Sequence, residues 1–272
     1  MPGVDVLSSP VAILGNKPTY NPVPEPFWLE ERKPTIFWSA APATRYCRMV
    51  GLSIRSFAMP GPHFDAVLFD LLTALLDSWS LWNAVSGSEE SGGKWRAAYL
   101  RRTYRAGRYR PYKTLVAEAA TEVGLPPALA ECLAARYHEL KPWPEVCEVL
   151  GALRREGLRL GVVTNCSETL GATAVACTAI DFDVVVTAER AGYYKPASRP
   201  YKQALAELGM TASRCLFVAG SAYDLFGASK IGLPTYWHDR IGMKPPAHAP
   251  EPLAHQRTLR PLLDLLCGRA AE

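Results

Sequence analysis

The sequence has no apolar run long enough to cross a membrane. A transmembrane helix needs about 18 or more predominantly apolar residues in succession, and no such run occurs in the 272 residues, although 49% of them are hydrophobic. The charged fraction is 21% and the formal net charge only +4, a composition that argues against an intrinsically disordered chain. We therefore expect a soluble globular protein that does not act at a membrane.

The cysteines lack the spacing of a structural or metal-binding motif. The 7 cysteines are scattered, and none form a Cys-X-X-Cys pair, so the sequence indicates neither a disulfide framework nor a zinc site. The segment from Met1 to Leu14 lacks the basic start and long apolar stretch of a secretory signal. These absences favour a reducing compartment, and we expect a cytoplasmic protein.

The first 62 residues lack sustained periodicity of either helix or strand type and are rich in proline. They predict an irregular N-terminal extension. Its part from Lys33 to Phe64 contains no acidic residue, as an organellar transit peptide also would, but an untargeted extension is the preferred interpretation.

Short apolar segments alternate with helical ones from Phe64 onward. Strands alternating with helices are typical of right-handed βαβ units, so the pattern predicts an α/β fold with a Rossmann-like, doubly wound parallel sheet. The predicted strands are residues 66–69, 158–164, 182–186 and 214–218.

No strand pattern occurs between Asp77 and Lys141, where three helical segments are predicted instead, at 97–104, 114–123 and 127–140. We interpret residues 78–141 as a helical cap inserted after the first strand into a core of residues 63–77 and 142–272. Ligands of open α/β sheets bind beyond the carboxyl ends of the strands, so we expect the active site between core and cap.

Polar side chains follow these strands in a fixed order: Asp70, then Thr164 with Asn165, then Lys195, then Asp224. A single aspartate after a strand is more often a helix N-cap than a catalytic group. Four such groups on successive βα units favour a site in which a lysine holds a carboxylate nucleophile and a second carboxylate activates water.

The segments around these residues resemble the four motifs of the haloacid dehalogenase superfamily, and within it the L-2-haloacid dehalogenase branch. The resemblance extends from about Phe64 to Leu266, and the combination of motifs is specific where any one alone is weak. The motif-like segments are residues 67–75, 162–167, 194–201 and 217–224.

Leu72 distinguishes the dehalogenase branch of the superfamily from the phosphatases. Phosphatases of the superfamily have a second aspartate at this position, which protonates the leaving group, and further acidic residues near the fourth motif that help to bind magnesium. An apolar side chain at residue 72 removes that acid. The resemblance therefore implies a dehalogenase that needs no metal or other cofactor, with a phosphatase as the least favoured alternative.

The resemblance also implies a role for each matching residue. Asp70 would be the nucleophile that forms an ester with a 2-halo carboxylic acid, Lys195 would orient it, and Asp224 would organise the hydrolytic water. Arg96 falls where the family has a cap arginine that faces the departing halide. The implied substrate-binding residues are Leu71, Leu72, Thr164, Asn165, Tyr201 and Ser221. Because family members are commonly dimers, a homodimer is expected.

Three departures from the family pattern surround the nucleophile. Thr73-Ala74 replaces the usual Gly-Thr, so the hydroxyl that would bond the nucleophile is missing unless Thr73 supplies it. Ala219 replaces a serine that would contact the lysine, and Ser221 replaces an asparagine. The alternative hypothesis is therefore a weakened or inactive member that binds a small acid, a partner or RNA.

Basic residues are concentrated in the predicted cap, with tyrosines among them. Such a cluster could contact nucleic acid, form a solvated helix face, or attract small anionic acids. We disfavour nucleic acid, because the net charge is low and no binding motif accompanies the cluster. The basic residues are Lys94, Arg96, Arg101, Arg102, Arg105, Arg108, Arg110 and Lys113.

Overall fold

The computed structural model describes residues 63–268, so the predictions made for residues 1–62 lie outside the described part of the chain. The described residues contain a six-stranded sheet with the order β3-β2-β1-β4-β5-β6, and every neighbouring pair is parallel. The strands are β1 Ala66–Phe69, β2 Arg159–Thr164, β3 Val184–Thr187, β4 Cys215–Ala219, β5 Thr235–His238 and β6 Ala254–Gln256.

Helices cover both faces of the sheet and fill the connection between β1 and β2. They are α1 Ser78–Ser86, α2 Glu89–Ala106, α3 Tyr112–Glu122, α4 Leu129–Ala135, α5 Val146–Arg155, α6 Glu168–Ala176, α7 Ala188–Ala191, α8 Ser198–Leu208, α9 Tyr223–Ser229 and α10 Pro261–Cys267. Short 3₁₀ helices occur at Tyr137–Glu139 and Ala212–Arg214. Within residues 63–268, none of the helices combines the length and apolar composition needed to cross a bilayer.

The strand β1 lies at the centre of the sheet, between β2 and β4. All four of its residues are fully buried because its side chains alternate between two apolar clusters, one on each face of the sheet. Val67 and Phe69 belong to one cluster, and Ala66 and Leu68 to the other. This two-sided burial explains the continuous apolar run in the sequence.

The predicted doubly wound parallel sheet is confirmed, and each of the four predicted strands is present within one or two residues of its expected bounds. The helical segment predicted at 97–104 is part of the longer α2, which begins after the cap residue Ser88. The segment predicted at 127–140 ends as an α-helix at Ala135 and continues as a 3₁₀ turn. The sheet also contains β5 and β6, which are not among the four predicted strands. β5 lies between β4 and β6, and β6, with three residues, forms one edge of the sheet.

Candidate active site

The candidate site lies at the carboxyl ends of the three central strands. Asp70 directly follows β1, Asn165 follows β2, and Asp224 is the second residue of α9, shortly after β4. Since β2, β1 and β4 are adjacent and parallel, their carboxyl ends meet at one edge of the sheet. The loop after α7 brings Lys195 to the same edge.

Lys195 joins the two carboxylates. Its Nζ lies 2.8 Å from Asp70 Oδ1 and 3.1 Å from Asp224 Oδ1, and each of the three side chains is less than a tenth exposed. Burial alone would raise the pKa of Asp70, but the Lys195 ammonium and the Thr73 donors outweigh it and hold this pKa below its usual value. Burial opposes charge on Lys195 as well, yet the two carboxylates raise its pKa. The site therefore holds Asp70 ionised beside a charged lysine.

The two oxygens of Asp70 have different surroundings. Oδ2 accepts three hydrogen bonds, from Thr73 N at 2.9 Å, Thr73 Oγ1 at 2.6 Å and Ala74 N at 3.3 Å. The only side-chain donor found on Oδ1 among the described residues is Lys195. Thr73 therefore supplies the hydroxyl that Ala74 lacks, which is the alternative that the sequence left open.

A glycine allows the turn after β1 to lie this close to β4. A side-chain carbon at Gly220 would collide with Thr73 Oγ1 and with the backbone nitrogen of Ala74. Only glycine leaves room for the turn that carries these two donors. Packing against the turn that follows β1 thus explains the glycine in the fourth motif.

Asp224 differs from Asp70 in its pKa. Burial raises its pKa to about 6, and the neighbouring Asp70 charge adds to this, while Lys195 and Tyr201 act in the opposite direction. The Tyr201 hydroxyl donates to Asp224 Oδ1 at 2.8 Å. A carboxylate with a pKa near neutrality is suited to take a proton from water.

Asn165 binds the main chain of Lys195. Its Oδ1 accepts from Lys195 N at 2.7 Å, and its Nδ2 donates to Lys195 O at 3.1 Å. The Tyr99 hydroxyl donates to the Asn165 carbonyl at 2.7 Å and so connects α2 to this loop. Asn165 therefore holds the loop that presents the lysine, besides facing the cavity.

Arg96 is a buried cation at the cavity. It is 2% exposed, and its Nε and Nη1 have no hydrogen-bond acceptor among the described residues. The guanidinium lies over the rings of Trp79, at 4.8 Å, and Trp82, at 5.2 Å. Ring faces stabilise a cation but leave its N–H groups unsatisfied, so Arg96 is arranged to receive an anion.

These groups surround a small cavity of about 40 Å³. Its floor contains Asp70, Lys195 and Asp224, and α2 contributes the opposite wall. The full lining is Asp70, Leu72, Thr73, Arg96, Tyr99, Leu100, Thr103, Tyr104, Asn165, Lys195, Ser221, Tyr223 and Asp224.

The structure brings most of the predicted site residues to this cavity. Leu72, Asn165 and Ser221 line it together with the four predicted catalytic residues. Leu71, Thr164 and Tyr201 were predicted to bind substrate, but they do not line the cavity and are fully buried. Leu71 packs in the apolar core, and Thr164 is the last residue of β2. Tyr201 does not reach the cavity but donates a hydrogen bond to Asp224, which does.

Sequence reasoning missed the part of the wall contributed by α2. Tyr99, Leu100 and Thr103 follow Arg96 at intervals of three, four and seven residues, which places all four on one helix face. Tyr223, which lies inside the fourth motif, was missed as well. Helical spacing counted from Arg96 was the available signal.

The basic cluster of α2 and α3 is largely neutralised. Acidic residues distant in sequence pair with several of its arginines: Glu122 bonds Arg101 and Arg102, and Glu118 bonds Arg102 and Arg110. Lys94 and Lys113 pair with Glu90 and Glu131. This pairing leaves little charge for a phosphate backbone and supports a solvated helix face.

Two further features concern a thiol nucleophile and metal ligands among the described residues. Burial raises the pKa of the Cys166 thiol to about 12, so this cysteine is a packed side chain and not a thiolate nucleophile. No group of three or more His, Cys, Asp or Glu side chains between residues 63 and 268 is placed to hold a metal ion. The Lys195 ammonium occupies the position between Asp70 and Asp224.

Comparison with known proteins agrees with this geometry. The haloacetate dehalogenase H-2 of Moraxella sp. (strain B) is 27% identical over 194 residues, 65% of this chain and 87% of that protein. The (S)-2-haloacid dehalogenase of Pseudomonas sp. (strain YL) is 36% identical over 108 residues, 39% of this chain and 47% of that protein. The solved L-2-haloacid dehalogenase RSc1362 superposes with a TM-score of 0.67 at 27% identity, covering 75% of this chain and 99% of that one.

A family model gives the assignment. The model for haloacid dehalogenase-like hydrolases matches residues 64–232, which is more than half of the 272-residue chain. The matched region includes the two aspartates, the lysine and the buried arginine of the cavity. The chain therefore belongs to the haloacid dehalogenase-like hydrolases.

Proposed function

We propose that this hydrolase removes the halogen from a small 2-halo carboxylic acid through a covalent ester on Asp70. The observation that carries the proposal is the asymmetry of the Asp70 carboxylate. Oδ2 is held by three donors, whereas Oδ1 keeps a lone pair free beside Lys195. A carboxylate oriented in this way can attack with Oδ1 and retain Oδ2 in a fixed donor site.

The first step is a displacement at the substrate's second carbon. Asp70 Oδ1 forms a bond to this carbon as the carbon–halogen bond breaks, and the halide leaves with the bonding electron pair. Arg96 is the cation available to the departing halide, because its Nε and Nη1 have no acceptor in the part of the chain that the structure describes. Holding the two reactants in line in a closed site supplies much of the rate.

The second step hydrolyses the ester. Water attacks Cγ of Asp70, Asp224 accepts the water proton, and the negative charge of the tetrahedral intermediate develops on Oδ2. Oδ2 is the oxygen that Thr73 and Ala74 already contact. Collapse of the intermediate breaks the bond between Cγ and Oδ1, so Oδ1 leaves as the hydroxyl oxygen of the 2-hydroxy acid and takes up the proton of the attacking hydroxyl group. Asp70 is again a carboxylate, now with one oxygen from water, and Asp224 returns its proton to solvent.

The cavity supports a short substrate. A buried water needs on the order of 10–15 Å³ of such space, so a cavity of about 40 Å³ accommodates only a few heavy atoms. Haloacetates and 2-halopropionates are of this size. The similarity to a haloacetate dehalogenase is consistent with this range.

The remaining expectations belong to the same proposal. Residues 78–141 would act as the cap, since α2 contributes both Arg96 and the wall opposite Asp70. A homodimer in the cytoplasm remains our expectation for the working state. The phosphatase alternative is disfavoured because Leu72, at the cavity wall, has no proton to give a leaving group.

Halide release tests the proposed function directly. Purified protein is incubated with L-2-chloropropionate, bromoacetate and chloroacetate in EDTA, and in parallel with p-nitrophenyl phosphate and Mg²⁺. We expect halide from at least one acid and no phosphate release. Release of phosphate without halide would establish the phosphatase, and release of neither would favour the binding protein.

Arg96→Lys keeps a positive charge but loses the planar group that stacks on Trp79 and Trp82. We expect kcat/KM for chloropropionate to fall about 100-fold, the scale on which one donor to developing charge commonly matters. The matched control is Arg105→Lys on the exposed surface of the same helix, for which we expect wild-type activity. Equal activity of both variants would remove Arg96 from the mechanism.

The pH profile follows from Asp224. Because its pKa is raised to about 6, this carboxylate is ionised above that pH and protonated below it. Asp224 accepts a proton only when ionised, so we expect kcat to fall as the pH decreases and to level off above about 6. The ester has no Asp70 charge to raise the pKa of Asp224, so the midpoint of this fall should lie at or below about 6. In Asp224→Asn the remaining activity should lose this acid limb. An unchanged limb in that variant would assign it to another group.

A further inference from the structure

Two peptide groups donate to Oδ2 of Asp70. The N–H of Thr73 belongs to the peptide that joins Leu72 to Thr73, and its nitrogen lies 2.9 Å from Oδ2. The N–H of Ala74 belongs to the next peptide, and its nitrogen lies 3.3 Å from Oδ2. Each of these peptides also has a carbonyl oxygen, which points away from the carboxylate.

Both carbonyl oxygens accept a side-chain hydrogen bond. Ser78 Oγ donates to the Leu72 carbonyl, which is in the same peptide as the Thr73 N–H. Trp143 Nε1 donates to the Thr73 carbonyl at 3.1 Å, which is in the same peptide as the Ala74 N–H. A hydrogen bond to a carbonyl polarises its amide group and strengthens the bond that the N–H donates.

The third carbonyl of this turn provides a contrast. His238 Nδ1 contacts the Ala74 carbonyl at 2.9 Å, so the turn is also held from β5. The N–H of that peptide belongs to Leu75 and donates to the Leu71 carbonyl, not to Asp70. Of the three side chains, only Ser78 and Trp143 bind a peptide group whose N–H donates to the Asp70 carboxylate.

Ser78 lies where the chain leaves β1 for the helices α1 to α4, and Trp143 lies where it returns toward α5 and β2. Ser78 is the first residue of α1, and Trp143 precedes α5. The two crossing segments are joined by backbone hydrogen bonds, from Asp77 N to the Lys141 carbonyl at 2.8 Å and from Trp143 N to the Leu75 carbonyl at 3.0 Å. Ser78 is buried, Trp143 is half-buried, and neither lines the cavity.

We propose that Ser78 and Trp143 are positioning residues that strengthen the two peptide donors to Asp70 Oδ2 and thereby accelerate hydrolysis of the ester. The inference rests on the proposed function, because it assigns a task to the same carboxylate. It adds two residues outside the four family-like motifs, and both act through the backbone instead of touching substrate.

The two steps of the reaction respond differently to these donors. During ester formation Asp70 loses its negative charge, so donors on Oδ2 stabilise the starting carboxylate and give the attack no advantage. During ester hydrolysis negative charge develops on Oδ2, and the same donors stabilise it. Weaker donors should therefore slow the second step and leave the first unchanged or faster, so that the ester accumulates.

Ser78→Ala and Trp143→Phe test this inference by removing one side-chain donor each. We expect ester hydrolysis to slow about tenfold in each variant, a typical cost of losing an orienting partner. Quenched steady-state samples with chloropropionate, analysed by intact mass, should contain a larger fraction of the Asp70 adduct than wild type. The expected signature is a lower kcat together with a lower KM.

Two matched controls separate this effect from a general loss of structure. Ser80→Ala removes a hydroxyl from the exposed part of α1, where it bonds Asp77. Trp237→Phe removes a buried indole N–H that has no acceptor among the described residues. We expect wild-type adduct levels in both. If Ser78→Ala and Trp143→Phe reduce activity without raising the adduct fraction, or leave activity unchanged, the proposal is wrong.

A second readout does not require turnover. Weaker donors to Oδ2 should raise the pKa of Asp70, which carbon-13 titration of its carboxyl measures, with Asp70→Asn used to assign the signal. Wild-type protein that yields neither halide nor adduct would contradict the proposed function. An Asp70 pKa unchanged in both variants would contradict the positioning role, whatever the substrate proves to be.

Discussion

Asp70→Asn is expected to abolish halide release, with kcat at least about 10⁴-fold below wild type, because the reaction then has no nucleophile. The amide has almost the same shape as the carboxylate, but it has no negative charge and cannot form the ester. It also leaves the Lys195 ammonium with Asp224 as its remaining partner. Initial rates with bromoacetate, the most reactive of the small substrates, give the greatest sensitivity.

Asp65→Asn is the matched control for this substitution. Asp65 immediately precedes β1 and pairs with Arg214 at the opposite end of the strand from Asp70. The control removes one carboxylate charge from the same segment and should keep wild-type activity within about twofold, as is usual for an exposed ion pair. Comparable halide release by Asp70→Asn and wild type would require another nucleophile.

Lys195→Met is expected to lower kcat by about 10³-fold or more. The ammonium lies between two buried carboxylates, and without it Asp70 and Asp224 would share a dry site as like charges. One of them would then take a proton at neutral pH, as adjacent buried carboxyl groups do. Loss of either charge stops a step, because one aspartate must attack and the other must accept a proton.

The pH dependence distinguishes this electrostatic effect from a packing defect. Any residual activity of Lys195→Met should increase toward alkaline pH, where both carboxyl groups ionise despite their repulsion. Lys202→Met on the exposed face of α8 is the control and should behave as wild type. A Lys195→Met enzyme with the wild-type profile would show that the lysine does not set the charge of Asp70.

The sheet and its catalytic edge were predictable because their determinants are local. A strand that is buried on both faces produces a continuous apolar run in the sequence. A polar residue at the end of the strand directly follows that run. Asp70 after β1 is the clearest case. The order of Asp70, Asn165, Lys195 and Asp224 along the chain then predicts a common site, since parallel strands end at one edge.

The supporting contacts were not predictable because their partners are distant in sequence. Trp143 reaches the Thr73 carbonyl across 70 residues of chain, and Tyr99 reaches the Asn165 carbonyl across 66. Thr73 shows what a local pattern leaves open. Its position one residue before the expected hydroxyl allowed either lost support or replacement, and the turn after β1 brings its Oγ1 to 2.6 Å from Asp70 Oδ2.

The arginines of α2 illustrate the same limit. In sequence they form a basic cluster, and the glutamates that neutralise Arg101 and Arg102 come from α3. Arg96, by contrast, is buried, and its Nε and Nη1 have no acceptor within residues 63–268. Helical spacing alone does not distinguish an exposed arginine from a buried one, because the difference depends on which face of the helix packs against the rest of the protein.

The most direct test of the central claim is a single turnover in H₂¹⁸O with enzyme in excess over 2-chloropropionate. If the product is released from an ester on Asp70, water attacks the Asp70 carboxyl group, and the product oxygen comes from the protein. We therefore predict that the peptide containing Asp70 gains one ¹⁸O while the 2-hydroxy acid remains unlabelled. Label in the hydroxy acid and none in that peptide would show that water displaces the halide directly, which contradicts a covalent mechanism.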